Sequence, residues 1–136
     1  MKMGERMATI LVVEDHVIFV QALVRLLRDR GTHHVVAVAS GEDALLLLPG
    51  NGFDLALLDV SLPGINGIDL IRQIHERKPE LPCLMLSGYM APHYVNQAMD
   101  AGARGYILKE DIGGILDGIK QVLHGGTYVS HSLRTE

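Results

Sequence analysis

Short apolar runs and amphipathic segments alternate along this chain, and that alternation constrains the fold more than any other feature. Thr9-Ile10-Leu11-Val12-Val13 is a compact β-branched run, the pattern of a strand buried on both faces. Val17, Val20, Leu23, Val24 and Leu27 then recur at helical spacing, and Gly31 is expected to end that helix. A second strand is expected over Val35 to Ala39, and Ser40 follows as an N-cap with Glu42 and Asp43 in the first turn and Leu45 to Leu48 behind. After the break at Pro49-Gly50-Asn51-Gly52, Leu55 to Leu58 forms a third strand that stops at Asp59. Turns at Pro63-Gly64 and Asn66-Gly67 precede a helix with Ile68, Ile71 and Ile74 on one face. Cys83 to Leu86 is a fourth strand ending at Ser87-Gly88, and a helix over about Pro92 to Ala101 follows it. Gly105 to Leu108 is a fifth, ending at Lys109, and the last helix carries Ile112, Ile115, Leu116, Ile119, Val122 and Leu123 up to Gly125-Gly126.

Five strands each followed by a helix predict an α/β fold, a doubly wound five-stranded parallel sheet with helices on both faces. The order expected is the flavodoxin-like 2-1-3-4-5, taken over from known sheets of this kind. Residues 8–126 read as one domain, residues 1–7 as a disordered leader and residues 127–136 as the start of a linker or tail. Gly113, Gly114 and Gly118 each cost about 1 kcal/mol relative to Ala and mark the last helix as a soft element, close packing against a partner backbone being the alternative.

Composition excludes several classes. With no Trp, two Phe and four Tyr, the core must be aliphatic. A net charge of -4 argues against nucleic-acid binding by this chain alone, which needs a concentrated basic face. The single Cys83 cannot form an internal disulfide and reads as a small buried thiol. No apolar run approaches the roughly 20 residues of a membrane span, and no signal-peptide core is present, so a cytoplasmic protein is expected. The seven histidines include no i, i+4 pair suited to zinc on a helix.

The polar residues stand where the strands stop. Glu14 and Asp15 follow strand one, Asp59 strand three, Ser87 strand four and Lys109 strand five. Parallel sheets bind ligands beyond the carboxyl ends of their strands, at the point where strand order reverses. Singly, each residue reads equally well as a cap, a turn or a surface charge; together they fall at one sheet edge. Carboxylates crowded to about 4 Å repel by several kcal/mol at an intermediate dielectric, and a hard divalent cation such as Mg²⁺ relieves this. A nucleophilic Asp, a cation and surrounding donors are what phosphoryl transfer to a carboxylate requires.

Four segments carry a resemblance. Ile10 to His16, Leu57 to Gly67, Leu84 to Gly88 and Gly102 to Lys109 resemble, in order and spacing, the response-regulator receiver domain of two-component signalling. The resemblance implies that Asp59 accepts phosphate from a sensor histidine kinase. It implies that Asp15 ligates Mg²⁺ directly, Glu14 largely through water, and Ser61 through its main-chain carbonyl. Ser87 would hydrogen-bond the phosphoryl group, Lys109 would pair with it, and Tyr106 would be an aromatic switch that turns inward from the surface. Two departures stand out: Glu110 follows the lysine where proline is common, and bulky Tyr89 follows Gly88. Gly125-Gly126-Thr127-Tyr128-Val129-Ser130 resembles the end of receivers of the NarL/FixJ subclass, which carry a LuxR-type helix-turn-helix domain.

The expected function is therefore a phosphorylation-dependent switch controlling a C-terminal DNA-binding domain outside this chain. A stand-alone receiver acting as a phosphorelay or protein-binding module is the alternative. Phosphorylation is expected to favour a homodimer through helix four, strand five and helix five, or through helices one and five. A phosphatase with an aspartyl nucleophile is disfavoured, because Ser61 stands where such enzymes place a second Asp. Self-phosphorylation and autodephosphorylation are the only catalysis expected.

Overall fold

The computed structural model describes residues 7–30, 33–88 and 92–130. Expectations placed on Gly31, on Tyr89, on residues 1–6 and on residues 131–136 lie outside the described residues. The elements are β1 (Thr9–Val13), α1 (Val17–Asp29), β2 (His34–Val38), α2 (Gly41–Leu47), β3 (Leu55–Asp59), α3 (Gly67–Arg77), β4 (Cys83–Ser87), α4 (Pro92–Ala101), β5 (Gly105–Leu108), α5 (Ile112–Leu123) and β6 (Tyr128–Val129). The sheet order is β2-β1-β3-β4-β5-β6, every described pair parallel.

The period of two along each strand divides the core into two layers. Leu11, Val13, Ala56, Leu58, Met85, Tyr106 and Leu108 face one way and pack with Ala44 and Leu48 of α2, Ile71 and Ile74 of α3, and Ala98 of α4. Ile10, Val12, Leu55, Leu57, Leu84, Leu86 and Ile107 face the other way, against Leu23 and Leu27 of α1 and Ile115, Ile119 and Val122 of α5. Strands β1, β3, β4 and β5 are thus covered on both sides, as their unbroken apolar runs require. The edge strand β2 is only partly buried and runs one residue earlier than expected, from His34 to Val38.

Three apolar residues placed on helix faces by spacing are exposed instead. Val17 is 66% and Ile112 49% exposed, since the first turns of α1 and α5 stand beyond the ends of the strands they follow; Leu46 of α2 is also exposed. Ser40 caps α2 as expected, its hydroxyl accepting from Asp43 N–H at 3.1 Å. Cys83 is buried, and burial pushes its thiol up to about 12, which leaves it inert as a nucleophile at neutral pH.

A sixth strand stands where the sequence suggested a tail. Tyr128 and Val129 pair with Gly105 and Tyr106, and Ser130 behind them is buried. The Ser130 hydroxyl accepts from Leu108 N–H at 3.0 Å and donates to Asp111 at 2.9 Å, while the other Asp111 oxygen caps α5 at Gly114 N–H. Gly118 lies against the Ile107 side chain and the Tyr128 ring, so close packing against side chains of the chain's own sheet accounts for it, rather than softness or a partner backbone.

One packing detail has a pH dependence. His33 Nδ1 accepts from Ala8 N–H at 3.1 Å at the start of β1, and burial lowers the imidazole pKa against an opposing pull from Asp54. The unfolded chain takes up this proton from about pH 6.5 downward, and the folded chain only at lower pH. Stability present above that range is therefore lost as pH falls below about 6.5, by on the order of 1 kcal/mol for the hydrogen bond. Urea midpoints at pH 7.5 and 5.5 should fall less in His33→Asn, whose amide oxygen still accepts; equal drops in both proteins would refute the assignment.

Candidate functional site

The site opens at the carboxyl edge of the sheet between β1 and β3, where the strand order reverses. β1 runs into Glu14, whose own N–H is held by Val38 O at 3.0 Å, and Asp15 follows. Asp59 is the last residue of β3, registered against Leu86. The chain then leaves the sheet in a turn that Asn66 closes by capping α3 at Asp69 N–H, at 2.9 Å. Gly67 starts that helix against the Asp59 carbonyl, where any Cβ would strike the backbone.

Glu14, Asp15 and Asp59 each offer an oxygen, all within 4.8 Å of one another. Glu14 and Asp59 are buried and Asp15 is exposed. Lys109 reaches over them from the end of β5: its Nζ lies 2.8 Å from Glu14 Oε1 and 3.2 Å from Asp59 Oδ2. The second oxygens are held by backbone: Glu14 Oε2 accepts from His16 N–H at 3.0 Å, and Asp59 Oδ1 from Ser61 N–H at 3.1 Å. Burial raises the Glu14 pKa and nearby Asp59 adds to this, against the lowering effect of Lys109 and His16 N–H. Burial alone would lower Lys109, but Glu14 and Asp59 outweigh it and the ammonium is raised. The lysine is thus firmly charged, and the carboxylates it bridges remain in electrostatic excess.

Ser87 is buried at the end of β4, and its carbonyl accepts from Lys109 N–H at 2.8 Å, so a backbone hydrogen bond joins the hydroxyl-bearing and lysine-bearing strand ends. Tyr106 differs from expectation. Its ring is fully buried rather than on the surface, in the layer with Met85, Val95 and Ala98. The reason is parity: Tyr106 shares a face with Leu108, and that face is covered by helices. Burial raises its phenol, with Ser87 opposing that rise. No cis peptide occurs among the described residues, including the link after Lys109.

The sequence reading missed Phe19. Its half-buried ring, on the first turn of α1, lies under Lys109 with 5.0 Å between Nζ and the ring centroid. Helical spacing gave no signal for it, because its partner is ninety residues further on.

A parallel sheet of this order, with an acidic crevice bridged by a lysine at its switch point, defines a receiver-type module. Residues 10–120 match the family described as the response regulator receiver domain, and the chain belongs to that family. The chain is 32% identical over 141 residues to the transcriptional regulatory protein DegU of Brevibacillus brevis, covering 99% of this chain and 60% of that protein. It is 33% identical to the transcriptional regulatory protein UhpA of Escherichia coli (strain K12), covering 91% of this chain and 63% of that one. The chain therefore spans about three fifths of the length of these relatives. A solved two-component response regulator of the LuxR family, from Aurantimonas sp. SI85-9A1, superposes with a TM-score of 0.89 at 28% identity, covering 94% of this chain and 93% of that one. These relatives agree with the subclass that the motif around Tyr128 resembles. Among the described residues no helix is long and apolar enough to cross a membrane.

Proposed function

We propose that this chain is a phosphorylation-dependent signalling switch in which Asp59 takes a phosphoryl group from a sensor histidine kinase. The observation that carries the reading is the Asp59 carboxylate at the switch point, held between Ser61 N–H and the Lys109 ammonium. In the transfer, an Asp59 oxygen bonds to phosphorus as the phosphorus–nitrogen bond of the donor phosphohistidine breaks, and the freed imidazole takes up a proton. Lys109 neutralises charge on the phosphoryl oxygens, and the Ser87 hydroxyl donates to one of them.

The crevice suits a hard divalent cation, because its donors are all oxygens and their mutual repulsion is only partly offset by Lys109. Asp15, Asp59 and the Ser61 carbonyl would hold Mg²⁺, with Glu14 acting through water. Bound there, the ion would spread negative charge developing in the transfer. Tyr106 sits in its inward position, and phosphorylation would act by stabilising that position against an outward one. The regulated output is a DNA-binding domain, as the transcriptional relatives suggest, with a homodimer as the active form. This chain with its net charge of -4 would not bind DNA specifically by itself.

Incubation with acetyl phosphate and Mg²⁺ should add the mass of one phosphoryl group, and peptide mapping should place it on Asp59. EDTA should suppress the gain. Label on another residue, or an undiminished rate in EDTA, would overturn the reading.

A further inference from the structure

We propose that Phe19 is a positioning residue for the Lys109 ammonium. The inference rests on the phosphoryl-transfer reading above for its consequence, but the contact itself does not. Lys109 carries a long flexible stem, and a compact ammonium has no preferred direction of its own. Three groups fix it here: Glu14 Oε1 at 2.8 Å, Asp59 Oδ2 at 3.2 Å and the Phe19 ring at 5.0 Å from the centroid. The side chain of Lys109 is 20% exposed, so water competes only weakly for the ammonium. A cation within about 6 Å of an aromatic centroid is drawn to the negative ring face, and more strongly as it is desolvated.

The three contacts differ in what happens to them during the reaction. Both carboxylates change their partners when Asp59 becomes an acyl phosphate and when a cation enters the acidic cluster. The ring does not, because it carries no net charge and ligates nothing. Phe19 also belongs to the layer formed by Leu23, Leu27, Ile107 and Ile115, which anchors the ring in the core rather than in a loop. The ammonium therefore keeps one fixed neighbour throughout, and stays directed at the crevice instead of swinging into solvent. An aliphatic side chain would fill much of the same volume without the ring's field, which separates the positioning role from packing.

Two readouts test this. In NMR spectra without metal, the Lys109 ε-methylene protons should be shifted upfield by the ring, and the shift should vanish in Phe19→Leu while Phe19→Tyr keeps it. With acetyl phosphate and Mg²⁺, Phe19→Leu should lower the limiting phosphorylation rate about fivefold, the half-saturating acetyl phosphate concentration staying within about twofold. Phe19→Tyr should restore the rate. Phe19→Met serves as a second aliphatic variant if Phe19→Leu folds poorly. Absence of the upfield shift in wild type overturns the contact, and wild-type rates in both aliphatic variants overturn the positioning role. A wild type that shows the shift yet takes up no phosphoryl group overturns the proposed function and the role in transfer, and leaves the contact standing.

Discussion

Asp59→Asn is expected to abolish phosphoryl uptake altogether while making the metal-free protein more stable than wild type. The first half follows from chemistry: an amide oxygen is no nucleophile toward phosphorus under these conditions, and among the described residues no other carboxylate lies between Ser61 N–H and Lys109. The second half follows from magnitudes. Asp59 is attracted by Lys109 at 3.2 Å, worth about 5 kcal/mol at an effective dielectric of 20. It is repelled by buried Glu14, whose oxygen lies within 4.8 Å, by about 3.5 kcal/mol or more, and more weakly by Asp15, which is equally near but exposed and screened by solvent. Removing the charge therefore leaves the attractive and repulsive terms close to balanced, and the desolvation of a buried ion, which is also removed, tips the sum toward the variant. Asn still accepts from Ser61 N–H, and Lys109 still has Glu14 at 2.8 Å. The net gain should be about 1 kcal/mol in EDTA.

Adding Mg²⁺ should reverse the ranking, because only the wild type holds the complete acidic cluster and ligand binding stabilises the folded state by mass action. The check is a pair of urea titrations of each protein, in EDTA and in millimolar Mg²⁺. A variant less stable than wild type in EDTA would show that the cluster is not in electrostatic excess.

The residues most legible in the sequence were those whose position followed from strand ends alone. Glu14, Asp15, Asp59, Ser87 and Lys109 needed only a count of where apolar runs stop, because a parallel sheet brings all its carboxyl ends to one edge. The structure brings Glu14, Asp15, Asp59 and Lys109 into one crevice. The inward position of Tyr106 follows from something the sequence already contained: a strand covered on both faces directs its side chains into packed layers. Phe19 was out of reach, since a contact between α1 and the end of β5 depends on how two crossovers pack, not on any local period. β6 was missed because three residues between a Gly-Gly pair and a serine give no alternation to read. What makes them a strand is the long-range hydrogen bonding of Tyr128 N–H to Arg104 O and Ser130 N–H to Tyr106 O, at 3.0 and 2.9 Å.

That last strand can be removed by one substitution far from it in sequence. Gly105→Val is expected to detach β6 and to destabilise the protein by about 3 kcal/mol. A Cβ on Gly105 would strike the Tyr128 carbonyl on one side and lie 2.5 Å from Leu84 Cδ2 on the other. The Leu84 contact is with the tip of a side chain, which can turn, whereas the Tyr128 contact is with backbone on a two-residue edge strand, so the edge strand is what must shift. With it go the backbone bonds of Tyr128 and Ser130 and the Ser130 hydroxyl bridge between Leu108 N–H and Asp111. Each such bond contributes about 1 kcal/mol net, and Leu108 N–H is left without its partner in a buried position. Because Leu108 directly precedes Lys109, the loss reaches the edge of the acidic crevice. Ser130→Ala removes only the hydroxyl bridge and should cost about 1 to 2 kcal/mol. Thermal melts should place Gly105→Val roughly 10 °C below wild type with Ser130→Ala between them. Hydrogen exchange should show the Tyr128 and Ser130 amides unprotected in Gly105→Val, while the amides of β1 and β3 keep the protection that global unfolding sets. Protected Tyr128 and Ser130 amides in Gly105→Val, with a wild-type melting temperature, would mean that β6 is not held by this close approach.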